Sequence, residues 1–167
     1  MTAQAPPEHS LDRIDLKILD ALQDNGRITN RNLAEKVALS PSACLARVKQ
    51  LEVSGLITGY RAALALELIR PAMVVFAHVT MQRHLIDSFD KFDAVLRDVP
   101  EVVEAARVSG PFDYILKIVV SDMREFRQLV AELLTESNGV ERMVTHVLMQ
   151  EAKPFVGYPL KSSRRTR

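Results

Sequence analysis

Cysteine is nearly absent: Cys44 is the single one in 167 residues. A lone thiol closes no intrachain disulfide, so a disulfide scaffold is excluded and a reducing compartment is expected. Long apolar runs are missing too; none approaches the ~18 residues a membrane span needs. The first ten residues, MTAQAPPEHS, lack the basic and apolar regions of a secretory leader. A cytoplasmic location is therefore expected, with 1–10 disordered. His9, His78, His84 and His146 show no metal-ligand spacing with one another or with Cys44. No phosphate-binding or dinucleotide glycine motif occurs. Nothing near Cys44 resembles a nucleophile's base, so it reads as a small core residue. No catalytic residue, metal or cofactor is expected. The strands offer only Phe76 and Tyr114 as aromatics, a poor platform for stacking RNA bases.

What is present describes a globular chain. Hydrophobic residues make up 47% and charged residues 26%, enough to build real cores. The net charge of +1 hides an uneven spread. Residues 11–61 hold eight Lys/Arg against six Asp/Glu, residues 62–160 ten against fourteen, and the last seven four against none. A basic front is compatible with a phosphate partner, though many solvated surfaces look the same.

The front third reads as three short helices. In LDRIDLKILDALQDNG, Ile14, Ile18 and Leu22 make one apolar stripe with Leu11 and Leu19 beside them. Asp12 and Asp15 supply a cap and negative charge at its start, and Asn25-Gly26 closes it. In TNRNLAEKVAL, Thr29 can cap while Leu33, Ala34 and Val37 face inward. A tight link leads to the third helix, where Ser40 suits the N-cap and Pro41 the first helical position. There Cys44, Val48 and Leu51 share the inner face, and Ala43, Ala46, Arg47 and Gln50 the outer, bordered by Ser42 and Lys49. Three short helices with a tight turn before the last form a helix-turn-helix pattern. In that motif the last helix enters the major groove, and small residues let its backbone approach the bases. Arg47 could reach guanine or phosphate, and Gln50 adenine. The same small polar face also describes ordinary solvated surface. SGLITGYRA then reads as a short strand or wing at Ile57–Tyr60, with Arg61 and Lys49 flanking a phosphate track.

The rear alternates in type. MVVFAHVTM is a strand. LIDSFDKFDAVLRDV is a helix with Leu85, Phe89, Phe92, Leu96 and Val99 inward. EVVEAARVSG and DYILKIVVS are strands around a GPF turn. MREFRQLVAELLTES is a helix with Met123, Phe126, Val130 and Leu133 inward, and VERMVTHVLMQEA is the last strand. The order β-α-β-β-α-β predicts a ferredoxin-like antiparallel sheet with both helices on one face. Both faces of its strands are largely apolar, so the face without helices is expected in a homodimer, with Ile118 on it. The turn in VSGPFDYIL invites two readings. Its backbone N–H groups and Asp113 suit the carboxylate and ammonium of a free amino acid. Equally, it is a hairpin whose Asp satisfies local amides.

These residues carry a family likeness. The runs GRIT, LSPSACLARV, LE and GLITGY resemble, in this order, the helix-turn-helix of Lrp/AsnC transcription factors. VSGPFDYILKIVVSDM resembles the core of their effector-binding domain. The likeness covers residues 11 to 155. It implies an α+β protein: a winged helix-turn-helix domain at 11–62, a linker at 63–72, a ferredoxin-like domain at 73–155 and a tail at 156–167. It implies promoter DNA and an amino-acid effector as partners, and dimers assembling to octamers. Expected DNA contacts are Arg27, Asn30, Arg31, Ser40, Ser42, Ala43, Ala46, Arg47, Lys49, Gln50, Tyr60 and Arg61. Expected effector contacts are Arg107, Val108, Ser109, Gly110, Pro111, Phe112, Asp113 and Thr145; Gly110 and Asp113 match the family's ligand loop. Arg107 stands where an apolar residue is frequent in leucine-responsive members, and Pro111 where the turn is often acidic. Both point away from leucine; Arg107 in the pocket would favour a polar or acidic effector. The competing reading is an amino-acid-sensing assembly protein that does not bind DNA.

Overall fold

The computed structural model describes residues 11–82 and 86–160; the N-terminal 1–10, with His9, the segment holding His84 and Leu85, and residues 161–167 lie outside them. The chain divides into two compact units. Among the described residues, 11–63 and 153–160 form one, and Leu64–Ala152 the other.

The first unit contains α1 (Arg13–Asp24), α2 (Asn30–Val37) and α3 (Pro41–Val53). Each starts on a side-chain cap, which satisfies backbone donors that have no partner inside the helix. The Asp12 carboxylate accepts the N–H groups of Ile14 and Asp15 at 2.7 and 2.8 Å, and Asp15 accepts that of Asp12 at 3.1 Å. This closes a reciprocal capping box. Thr29 Oγ1 accepts from Asn32, and Ser40 Oγ from Ala43, with Pro41 following as the first helical residue. Between α2 and α3, Ala38 takes left-handed geometry (φ 59°), and the link is only three residues, 38–40. Ile18, Ala21, Leu33, Ala34, Val37, Cys44 and Leu51 are buried together. Cys44 is a core residue, and burial pushes its thiol pKa up.

Of the two forms expected after α3, a strand or a wing, the strand is not taken. The strand at Ile57–Tyr60 does not form. Gly55 (φ 75°) turns the chain just after α3. The Ile57 N–H then bonds back to the Leu51 carbonyl at 3.0 Å, and its side chain packs on the helical core. That anchorage leaves the following segment without a ladder partner.

The second unit opens with a single 3₁₀ turn at Leu66–Leu68, where Leu64, Leu68 and Ile69 are exposed. It continues as β1 (Met73–Met81), α4 (Ile86–Asp98), β2 (Val102–Arg107), β3 (Tyr114–Val120), α5 (Met123–Leu133) and β4 (Val140–Val147). The strands lie in the order β2-β3-β1-β4, all neighbours antiparallel. Val75, Ala77 and Val79 pair with Ile118, Leu116 and Tyr114, so these six share one face. All are buried with Phe92, Leu96, Phe126, Leu129 and Leu133 of the helices.

Ile118 therefore lies beneath the helices, not on the uncovered face. Both alternating sets of β3 are apolar, so the period of two did not distinguish them. The uncovered face carries Val74, Phe76, His78, Ile115, Lys117, Val119, Val144 and His146. Met123 also departs from expectation. It follows the N-cap Asp122 at the start of α5 and stays 48% exposed, while Leu129 joins the buried stripe.

Candidate DNA-reading helix and effector loop

The outer face of α3 presents Ser42, Ala43, Ala46, Lys49 and Gln50 to solvent. Ser40 and Ser42 are linked through their hydroxyls at 3.2 Å. Asn30 Nδ2 donates to the Pro41 carbonyl at 2.8 Å and so fixes the start of α2 to that of α3. Arg27 and Arg61 are exposed, and Arg31 forms an exposed pair with Glu35 on its own helix.

Arg47 does not extend outward with that set. Its Nη1 lies 2.7 Å from Asp12 Oδ2 and 2.8 Å from Asp15 Oδ1. The Asp15 side chain is 2% exposed, so this guanidinium neutralises a carboxylate held almost out of water. The Asp15 N–H and then Arg47 hold the Asp12 carboxyl below its usual range; hydrogen bonds from Arg47 to Asp15 and Asp12 raise the arginine in turn. Arg47 thus clamps α3 to the capping box of α1. Tyr60 is likewise engaged: its hydroxyl donates to Glu52 Oε1 at 3.0 Å, and burial followed by Glu52 raises its pKa.

In the second unit, the loop 108–113 bends at Gly110, whose φ of 136° suits glycine. Asp113 ties the loop to β1. Its N–H donates to the Val79 carbonyl at 2.8 Å, and its Oδ2 accepts the Met81 N–H at 2.7 Å. The Val108 N–H closes the loop on the Asp113 carbonyl at 2.9 Å. Ser109, Gly110 and Pro111 are exposed. Phe112 crosses to the uncovered sheet face and stacks on His78, ring centroids 4.1 Å apart; His146 lies 5.1 Å from His78.

Arg107 turns the other way, onto α4. It pairs with Asp90 at 3.1 Å and Asp93 at 2.8 Å, and its Nε donates to the Tyr114 hydroxyl at 3.0 Å. Its guanidinium lies 5.2 Å from the centre of the Phe89 ring. Burial opposes its charge, but hydrogen bonds to Asp90, Asp93 and Tyr114 outweigh that and raise its pKa. The Tyr114 hydroxyl donates to Asp93 Oδ1 at 2.7 Å; burial first, and then Asp93, push its pKa up to about 12. The expected bias of Arg107 toward a polar or acidic effector has no geometric basis, because its charge is already matched.

Thr145 is exposed on β4 and pairs with Ala77. It and Arg107 sit at opposite edges of the sheet, three strand spacings apart, or about 14 Å. The effector candidates therefore divide into separate groups within one chain. The long-range partners of Arg47, Arg107 and Asp113 were not foreseen, and no local spacing signals them.

A helix-turn-helix with a small, outward third helix, joined to a ferredoxin-like unit with a glycine-hinged loop, defines a class: DNA-binding regulators with an appended ligand-binding domain. Comparison with known proteins agrees. Residues 11–58 match the winged helix-turn-helix DNA-binding family, and residues 74–157 match the Lrp/AsnC ligand binding domain. The chain is 46% identical over 144 residues to the leucine-responsive regulatory protein of Haemophilus influenzae, covering 86% of this chain and 87% of that one. It is 42% identical over 147 residues to that of Escherichia coli K12, covering 88% and 90%. A transcriptional regulator of Neisseria meningitidis, solved with L-Met, superposes with a TM-score of 0.84 at 38% identity, over 90% of this chain and 97% of that one. An AsnC family regulator of Agrobacterium tumefaciens gives 0.82 at 30% identity, over 90% and 97%. The chain belongs to the Lrp/AsnC family of transcriptional regulators. No helix among the described residues is long and apolar enough to cross a membrane.

Proposed function

We propose that this regulator reads promoter DNA in the cytoplasm as a homo-oligomer built from dimers, and that an amino acid bound at the loop 108–113 modulates that binding. The observation that carries the DNA reading is the outer face of α3. Ser42, Ala43 and Ala46 leave its backbone open to close approach, with Lys49 and Gln50 beside them. Arg27, Asn30, Arg31, Ser40, Tyr60 and Arg61 flank it as phosphate or positioning groups. Arg47 acts indirectly, by holding α3 on α1.

The effector's carboxylate would meet the backbone N–H groups of Ser109, Gly110 and Phe112, Pro111 having none, and its ammonium would meet Asp113 Oδ1. Thr145 lies on the edge strand β4, two strands from β3 where the loop ends, which supports a pocket completed by a second copy, in which one chain supplies the loop and another its β4 edge. The apolar uncovered sheet face supports burial between copies. The Neisseria relative solved with L-Met favours an apolar amino acid as the first ligand to try.

The test is a titration of DNA from upstream of the chain's own gene, set against random duplex of equal length. Wild type is expected to prefer the promoter. Ala46→Glu places a carboxylate on an exposed position and is expected to abolish that preference with the fold intact. Equal binding by wild type and Ala46→Glu would remove α3 from the interface.

A further inference from the structure

The wing after α3 has no strand ladder to place it. Ile57 is anchored on Leu51, and the Tyr60 hydroxyl on Glu52 at 3.0 Å. Among the described residues, no backbone–backbone hydrogen bond joins 58–63 to another element. Arg61 is exposed, and no carboxylate among the described residues pairs with it. In this it differs from Arg31 and Arg47, whose charges are matched within the chain.

A distant part of the chain stands where the ladder would be. The side-chain amide of Gln23, on α1, bonds both backbone groups of one residue 135 positions away: its Oε1 accepts the Tyr158 N–H at 2.6 Å, and its Nε2 donates to the Tyr158 carbonyl at 3.2 Å. Gly157 makes this approach possible. Its φ is 137°, and a Cβ there would lie 2.9 Å from Gln23 Oε1. Phe155 packs edge-on against Tyr158, ring centroids 5.1 Å apart. The docked segment and the wing line two cavities together. Tyr158 and Leu160 wall an apolar one of about 420 Å³ with Leu56 and Ile57 of the wing and Leu16 and Leu19 of α1. Val156 and Gly157 line another, of about 340 Å³, with Gly59 and Arg61. Without the dock, the wing beyond Ile57 keeps the Tyr60 bond to Glu52 as its single hydrogen bond among the described residues. One exposed bond constrains such a segment weakly. A cation on a loose segment must be ordered at the moment of binding, which costs affinity, whereas one already in place need not be.

We propose that residues 155–160 brace the wing: docked on α1 through Gln23, Gly157 and Tyr158, they replace a strand ladder and hold Arg61 where it meets a backbone phosphate of the bound duplex. Gln23, Gly157 and Tyr158 are then positioning residues for DNA binding, and the DNA-binding unit is completed by a segment that follows β4. This rests on the DNA-binding reading above and adds to it how the wing is held.

A double-mutant cycle tests this, read by fluorescence anisotropy on promoter and random duplexes over about 50–200 mM salt. The dock is broken by Gly157→Val or, separately, by Gln23→Ala. Arg61→Gln and, as a control on α3, Lys49→Ala are each made in the full chain and in both dock variants. In the full chain, Arg61→Gln is expected to lower the slope of log affinity against log salt by about 1 on both duplexes, because it removes one phosphate contact. In either dock variant it should lower the slope by less than half as much, since Arg61 is no longer held in place. Lys49→Ala should cost the same in all three backgrounds. An equal loss from Arg61→Gln in every background overturns the brace. Lys49→Ala losing its effect along with Arg61→Gln also overturns it, because the dock would then support the whole unit and not the wing. Arg61→Gln without effect in the full chain overturns the proposal while leaving the function of α3 standing. A full chain that binds neither duplex overturns the DNA-binding reading itself.

Discussion

Asp113 holds its loop on β1 and is proposed to receive the effector's ammonium, and two substitutions separate these roles. Its Oδ2 accepts the Met81 N–H at 2.7 Å, and Met81 is buried at 1% exposure. Asp113→Ala removes the acceptor and leaves that donor without a partner. An unsatisfied buried N–H costs about 1–3 kcal/mol. With an m-value of roughly 1–3 kcal/mol/M, the urea midpoint should fall by about 1 M. Asp113→Asn keeps an oxygen in place and loses only the extra strength of a charged acceptor, so its midpoint should fall by less than half as much. Both variants lack the carboxylate proposed to receive an effector's ammonium. Calorimetric titration with each of the natural amino acids should therefore show wild type binding at least one, and neither variant binding it. Asp113→Asn is the informative case, because its fold is nearly unperturbed. Tight amino-acid binding by Asp113→Asn would refute the loop as the ammonium site. The Met81 contact alone would then account for Asp113.

Three further outcomes are expected. Arg47→Ala should lower the melting temperature of the helix-turn-helix unit and weaken DNA binding together, because it releases α3 from Asp12 and Asp15; Lys49→Ala should weaken binding with no change in melting. Calorimetry and anisotropy on both variants check this, and an Arg47→Ala chain with wild-type melting would refute the clamp. Tyr114 has its pKa raised to about 12 in the folded chain, above the ordinary ~10. The folded state thus favours the neutral phenol, so its contribution is complete below pH ~10 and is lost as pH rises through about 12; Tyr114→Phe should flatten alkaline unfolding in that window, and an unchanged profile would contradict it. Ile115→Asp, on the uncovered sheet face, should give a smaller assembly by light scattering with circular dichroism unchanged, whereas an unaltered assembly would place the interface elsewhere.

The readable parts of this chain are those determined by neighbours in sequence. Asp12, Thr29 and Ser40 cap helices because a short acceptor side chain reaches donors two or three residues on, and that spacing is visible in the string. β1 runs from Met73 to Met81, as its β-branched composition indicated. Contacts between distant segments were not readable. Arg47 meets Asp12 and Asp15 across 35 and 32 positions, and Gln23 meets Tyr158 across 135. The side-chain inventory suggested that Arg47 and Arg107 point at ligands, but packing matched each with two carboxylates inside the chain. Ile118 was misplaced for another reason: a strand apolar on both sides leaves its buried face to the helices, and periodicity is silent on which that is. After α3, Ile57 packs on the helical core and its N–H bonds back to Leu51, two contacts between segments that the local pattern does not show.

The central claim is that an amino acid held at the loop 108–113 changes how this chain binds promoter DNA. It is tested most directly by titrating promoter duplex with wild type and Asp113→Asn, at rising concentrations of an amino acid shown by calorimetry to bind wild type. A ligand shifts such an equilibrium only through its different affinities for the two states. The wild-type midpoint or cooperativity should move with ligand, while Asp113→Asn binds DNA as ligand-free wild type does and stays there. A wild-type curve unmoved by saturating ligand would contradict the coupling, and an equal shift in both proteins would contradict the site.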